Sequence, residues 1–350
     1  MNELLRRDSS VLPEPARSTR RRSPRPLAEP FVGDLELGWA ARASATIEAQ
    51  VAYSSRSEHV SSRVINLLPG VHETWGAVSE LKETLEAFGF GARVLPDCAT
   101  GSPGRDDDAR LCGTTVSEIE RVACSVRTLA IGDHMRQPAR VLKAKTGVPV
   151  TVLPSVIGLE ASDRLIALLS RLSGRAVPTR IAKQRAQLFE VMAETQVQVA
   201  GKRVGVVAEP DLLQAFVRLF ERLGAEVPVA VNCTRGAVPA ARWPQLALSR
   251  EQLGAMASLS REHELDLLVG SSHVEPLAQA LRIPLFLVGS PIQGRVGYQY
   301  RALGGYRGTR ELVAEIREAF SACPRRRRAE RRTESLVYLP RSQGAPRVDA

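Results

Sequence analysis

From residue 63 onward, short apolar runs alternate with amphipathic segments, and that alternation confines the chain to parallel sheets covered by helices. RVINLLP (63–69) is an apolar run ending at Pro-Gly. The segment after it places Val78, Leu81, Leu85 and Phe88 on one helical stripe, and ARVLP (92–96) reads as the next strand. The unit then recurs: VSEIERVA as helix, VRTLAIG as strand, 135–145 as a helix stopped by Gly147, and VPVTVLP as strand.

Two helical stretches, 161–172 and 181–198, interrupt this rhythm around SGRAVP. The pattern restarts at GKRVGVVAEPD, where a strand over 203–208 meets Pro210 in the first turn of a helix and Asp211 adds negative charge near its N-terminus. That helix carries Leu212, Leu213, Phe216, Leu219, Phe220 and Leu223 at core spacing and stops at Gly224. Strands over 227–231, 266–270 and 283–288 and a helix over 309–320 follow. The fold class is therefore α/β, with two consecutive Rossmann-like domains whose parallel sheets are covered by helices. The expected divisions are a mostly disordered or atypical segment over 1–62, one domain over 63–160, a helical junction over 161–200, a second domain over 201–322, and an Arg-rich disordered tail over 323–350.

The net charge of +10 suggests nucleic acid until it is located. Residues 1–30 hold seven Arg against four acids, and residues 325–350 hold eight Arg against three, so +8 sits in two tails of low apolar content. The expectation is solvated ends, with nucleic acid unlikely as a partner. No apolar run approaches the ~18 residues of a membrane span and no apolar segment follows the first arginines, so a cytoplasmic protein away from the membrane is expected. Five widely spaced cysteines without a C-x-x-C pair fit a reducing compartment and argue against a disulfide frame or a zinc finger.

Phosphate-loop, dinucleotide, zinc-protease and nucleophile-elbow motifs are all absent, and VGVVAEPD lacks the glycines that a dinucleotide would need. Polar clusters instead stand near strand ends: PDCATGSPG (96–104), CGTT (112–115), GDHM (132–135), AEPD (208–211), SSH (271–273) and GGYRGT (304–309). Small residues with exposed N–H groups beside an Arg or His can cradle an anion or an iron–sulfur species. The candidates for such binding are Gly113, Thr114, Thr115, Ser272, His273, Tyr306 and Arg307. Gly113-Thr114-Thr115 reads equally as a turn and helix cap, with Glu118 completing a capping box. Cys98 and Cys112 are the candidate metal ligands, with a structural role as the other reading. Asp106, Asp107 and Asp108 read most simply as a solvated loop. No acid, base or nucleophile stands out, which leaves catalysis by this chain unassigned and independent hydrolysis disfavoured.

In order, INLLPG, LKETLEAFGF, LPD, GTT, KTGVPV, GLEASDRL, LSGRAVP, GKRVGVVAEPDLL, DLLVGSSH, RIPLFLVGSP and GYRGT resemble the second and third domains of nitrogenase component 1 proteins, over residues 63–320. The likeness is to the branch that serves as scaffold for maturing the iron–molybdenum cofactor precursor. It implies a heterotetramer with a NifE-like subunit, contact with the nitrogenase iron protein, and an iron–sulfur cluster or cofactor precursor held in complex with the partner. It also implies that 268–291 lines a domain cleft. Departures fall at polar positions. Thr74, Trp75, Gly76 and Ala77 replace Thr-Pro-Gly-Asp, Cys112 precedes Gly113, and Ser271, Ser272, His273 and Val274 replace Asn-Ser-His-Gly. Glu194-Thr195-Gln196-Val197 stands at the end of the central helix where the family has an Asp-rich, His-Phe sequence. Residues 1–62 contain no cysteine and are too short for the family's first domain. Two alternatives stay open: a non-catalytic binding or regulatory relative that carries no cluster, and an oxidoreductase component like those of light-independent tetrapyrrole reductases.

Overall fold

A computed structural model describes residues 35–51, 61–95, 116–234, 246–248 and 256–321. The Arg-rich tails lie outside this range. The chain opens with α1 (Leu35–Gln50), β1 (Ser61–Leu68), α2 (Trp75–Ala87), β2 (Gly91–Val94), α3 (Val116–Glu120), β3 (Ser125–Ile131), α4 (Arg136–Thr146) and β4 (Val150–Leu153). The four strands pair in parallel in the order β2-β1-β3-β4. On β1, Ile65 and Leu67 face a core built with α2, whereas Leu68 faces a second core built with α1 and α4. Burial on both faces is why RVINLL reads as an unbroken apolar run. Gly147 ends α4 in the left-handed conformation (φ 67°), its N–H bonded to the Lys143 carbonyl at 2.8 Å.

Helices α5 (Leu159–Ser173) and α6 (Thr179–Val199) lead into β5 (Arg203–Ala208), α7 (Pro210–Arg222), β6 (Glu226–Asn232), β7 (Leu246–Leu248), α8 (Met256–Glu262), β8 (Leu267–Gly270), α9 (Glu275–Leu281), β9 (Leu285–Leu287) and α10 (Gly305–Ser321). The second sheet, also parallel, has the order β7-β6-β5-β8-β9. The α7 stripe of Leu212, Leu213, Phe216, Leu219, Phe220 and Leu223 lies in its main core with Leu312, Val313 and Ile316 of α10. In each sheet the strand order reverses once, between β1 and β3 and between β5 and β8. Crevices open beyond the carboxyl ends of strands at such points.

Three findings go beyond the sequence reading. Residues 35–50, inside the stretch expected to be atypical, form a helix that buries Glu36, Ala40, Ala43 and Ile47 on one stripe. β7 and α8 add an edge strand and a helix between β6 and β8. Helix α10 begins at Gly305 rather than at 309, which moves Tyr306 and Arg307 from a loop into a helical first turn.

That first turn docks on the first half of the molecule. Gly305 N–H donates to the Val156 carbonyl (2.8 Å), Gly158 N–H to Thr309 Oγ1 (3.0 Å), and Tyr306 OH to Asp163 Oδ1 on α5 (2.5 Å). Burial pushes the Asp163 carboxyl up, but hydrogen bonds from Arg185 and Tyr306 more than reverse this and hold it below its usual value. Such a group stabilises the fold above its unfolded pKa of ~3.9 and loses that contribution as pH falls through the lower folded value. Tyr306→Phe keeps the ring and removes the bond. It should cost about 1 kcal/mol at pH 7, seen as a lower urea midpoint with unchanged slope, and the difference from the parent should shrink in acid below pH ~3.9.

Candidate functional site

The two reversal points face each other, and the side chains that leave them meet at one buried crossing. β1 runs out through Pro69-Gly70-Val71 to His72, β3 through Gly132-Asp133 to His134, and β5 through Glu209-Pro210 to Asp211. Glu36, in the first turn of α1, completes the group. His72 Nε2 lies 2.8 Å from Glu36 Oε1, and the same oxygen accepts the Asp211 N–H at 2.9 Å. Glu209 is held extended (φ −73°, ψ 160°) before Pro210, as a residue preceding proline must be. Its side chain accepts the N–H groups of Leu35 (3.0 Å) and Glu36 (2.7 Å), capping the positive end of α1.

His134 is locked in place. Asp211 Oδ2 lies 2.5 Å from its Nδ1 and also accepts its backbone N–H at 3.0 Å, while its Nε2 accepts the Val71 N–H at 3.2 Å. This fixes the tautomer with the proton on Nδ1. Two glycines make room for the ring. A Cβ on Gly70 would lie 2.6 Å from the Ile131 carbonyl and 2.7 Å from His134 Cε1. One on Gly132, where φ is +99°, would lie 2.6 Å from the same Cε1. The His–Asp pair thus resembles the orienting half of a catalytic triad, but its second nitrogen is already occupied by a backbone donor, leaving no lone pair to take a proton.

The crossing is acid-rich. No lysine or arginine among the described residues forms an ion pair with Glu36, Glu73, Glu209 or Asp211; the nearest nitrogen groups are the imidazoles, His72 beside Glu36 and His134 beside Asp211. Burial alone would lower the His72 pKa, but its hydrogen bond to Glu36 and the charges of Glu36, Glu209 and Asp211 raise it overall. Burial raises Glu209, opposed by the His72 charge and the α1 amides. Burial pushes Glu73 up to about 7, with His72 opposing. Two triplets have ligand atoms all within 4.8 Å of one another: Glu36, His72 and Glu209, and Glu36, His134 and Asp211.

Two cavities of about 400 Å³ flank His72, sharing it with Leu212, Gly289 and Ser290. One is walled by Trp39, Glu73, Trp75, Arg295 and Tyr298. The other is walled by Glu209, Cys233, Ser271, His273 and Pro291. The stretch 268–291 therefore does line a cleft at the carboxyl ends of the second sheet.

Among the expected site residues, His273 reaches this cleft. Ser272 does not: it is buried, its Oγ accepts the Gln293 N–H at 2.7 Å, and it fastens one loop to another. Tyr306 and Arg307 are also placed elsewhere, because α10 starts early; Tyr306 bonds Asp163, and Arg307 pairs with Glu80 and, at 3.4 Å, with Glu83 on α2. Cys98, Cys112, Gly113, Thr114, Thr115 and Asp106–Asp108 lie outside the described residues. The sequence reading passes over His72 and Glu36. The available signal was a His-Glu pair one residue after the Pro-Gly that ends an apolar strand.

The described cysteines, Cys124 and Cys233, stand at opposite ends of strands in different sheets: Cys124 just before β3 and Cys233 just after β6. Iron–sulfur clusters take several thiolates together, so the described residues do not offer a cluster ligand set. They offer an imidazole–carboxylate crossing and, beside it, cavity walls able to contact a bound group. Among the described residues no helix is long and apolar enough to cross a membrane.

Residues 26–321 match the family described as nitrogenase component 1 type oxidoreductase. The chain is 36% identical over 301 residues to the nitrogenase iron-molybdenum cofactor biosynthesis protein NifN of Mesorhizobium japonicum, covering 83% of this chain and 64% of that protein. It is 34% identical to the NifN of Rhizobium meliloti, covering 83% and 66%. It thus spans slightly less than two thirds of these relatives. Among solved structures, one titled nitrogenase Cp1 at pH 6.5 superposes with a TM-score of 0.74 at 25% identity, over 83% of this chain and 66% of that one.

Gly132→Ala should displace His134 from Asp211 and cost about 3 kcal/mol. Gly158→Ala, also at positive φ (+96°) but facing open space, should cost backbone strain alone, so the difference between their denaturation midpoints reports the contact. Glu73 has a folded pKa of about 7 against ~4.3 unfolded, so ionising it destabilises the fold as pH rises through that window. In chelator-containing buffer, Glu73→Gln should stabilise the protein by about 2 kcal/mol at pH 8, and the gain should vanish by pH ~4.

Proposed function

The chain belongs to the nitrogenase component 1 family, and we propose that it acts as a NifN-like scaffold subunit in iron–molybdenum cofactor assembly, in the cytoplasm. In this reading it pairs with a NifE-like subunit in a heterotetramer and is served by the nitrogenase iron protein. The observation that carries the proposal is the likeness to proteins named for that role, which runs along 83% of the chain rather than through one motif.

The geometry supports a sheltering role over bond-making. The cleft holds serines, a histidine and a cysteine on small-residue loops at strand ends, where side chains can contact a bulky group. His134, the described histidine best placed beside an acid, has both ring nitrogens occupied. The precursor is then cargo, held between this cleft and the partner. Any thiolate from this chain would come from Cys98 or Cys112, with Gly113, Thr114 and Thr115 beside them in sequence. The two domains of this reading are 63–160 and 201–322, joined through 161–200.

The test is an anaerobic pull-down of the tagged full-length chain from its native cells, with iron and molybdenum quantified and copurifying chains identified. A NifE-like subunit recovered with stoichiometric iron is the expected result; a metal-free chain without that partner would overturn it. The Cys98→Ser and Cys112→Ser variants should lower the iron recovered if these thiolates touch the cluster, and unchanged iron would end their role as ligands.

A further inference from the structure

Three buried acids, Glu36, Glu209 and Asp211, converge with two imidazoles where α1, β1, β3 and β5 meet. No lysine or arginine among the described residues pairs with any of the three. Unbalanced carboxylates are costly to bury unless a cation joins them. We propose that Glu36, His72 and Glu209 bind one divalent transition-metal ion of the zinc, iron(II) or manganese(II) class, which clamps α1 to both sheets.

The ligand atoms of these three residues already lie within 4.8 Å of one another, and His72 Nε2 and Glu36 Oε1 are 2.8 Å apart. A metal with bonds of about 2.0–2.2 Å would replace the proton between them after a small relaxation. One imidazole and two carboxylates, with no thiol, form a borderline-to-hard donor set that suits these ions better than copper(I) or a cluster. Glu209 need not release α1 to serve, because each carboxylate oxygen has two lone pairs and the Leu35 and Glu36 amides use one apiece.

The competing triplet is closed. His134 has Asp211 at Nδ1 and the Val71 N–H at Nε2, and Gly70 and Gly132 fit so closely around the ring that it has little room to turn. The Asp211 N–H donates to Glu36 Oε1, so this pair is placed to orient a ligand of the first triplet from behind, as outer hydrogen bonds commonly do at metal sites. Access exists as well. His72 and Glu209 both line the cavity that also holds Ser271 and His273, so an ion and its remaining waters can reach them.

The inference concerns this chain by itself and depends on neither partner nor cargo. The purified full-length chain, stripped by chelator, is titrated with Co²⁺ and Zn²⁺. One equivalent should bind, with Co²⁺ giving visible d–d bands and no thiolate charge-transfer band. Zn²⁺ at about 100 times its dissociation constant should raise the melting temperature by about 5 °C. His72→Asn and Glu209→Gln should each weaken binding at least about tenfold, while His263→Asn, on the end of α8, should leave it unchanged. The proposal fails if the folded parent takes up no ion, or if affinity survives both substitutions. Should the variants not fold, X-ray absorption of the Zn²⁺-bound parent decides. A nitrogen and oxygen shell with one imidazole supports the site, and sulfur in the shell or no imidazole overturns it. A failed pull-down of a partner leaves this outcome untouched.

Discussion

Helix α1 is held at both ends by charge, and the relation between the two sheets depends on it. At its N-terminus the Glu209 carboxylate, from the end of β5, accepts the first amides. At its C-terminus the buried Lys145 ammonium, from α4, donates to the carbonyls of Glu48 and Val51, both at 2.7 Å. Each charge sits where the helix dipole favours it and satisfies groups that a helix end leaves open. One clamp comes from each half of the molecule, so α1 stays in place only while both sheets do. On its flank, Trp39 Nε1 bonds the Pro69 carbonyl at 3.0 Å, tying the helix to the loop that presents His72.

Helix α10 performs the complementary task with packing. Its body lies in the core of the second sheet, yet its first turn puts Tyr306 into the core of the first. Segments distant in sequence thus join the halves through a polar crossing and through an apolar seam. Bonds to Asp163, Val156 and Gly158 set the register of that seam. A chain of repeated βα units has no intrinsic reason to fix one unit's crevice opposite another's; these two helices supply it.

The fold was legible because its signal is periodic. Apolar strands buried on both faces, Gly147 after α4 and Pro210 opening α7 are local features that a sequence carries openly. α1 was hidden because half of its buried stripe is alanine, with Glu36 where an apolar residue is expected, and that glutamate makes sense only beside His72 and the Asp211 amide. Tyr306 and Arg307 were misplaced for a related reason: glycines suggested a loop, and only long-range contacts show that Gly305 starts a helix. The crossing itself joins Glu36 to Asp211, 175 residues apart, and no local pattern encodes such a meeting.

These constraints divide the labour between neighbouring groups. His134 has both ring nitrogens occupied, by Asp211 Oδ2 and by the Val71 N–H, so this pair defines shape. Glu73 and Tyr298 line one cavity, and His273 is exposed on the other. Their chemistry is left for whatever enters. His72 stands between the two groups: it belongs to the buried crossing through Glu36 and to both cavities through its ring. Glu36 in turn lies in the first turn of α1 and accepts the Asp211 N–H, so hydrogen bonds link the ring to α1 and to the segment after β5. The opposed reversal points therefore do more than enclose space. They place one imidazole where contents of the cleft and the geometry of the two sheets act on the same hydrogen bonds.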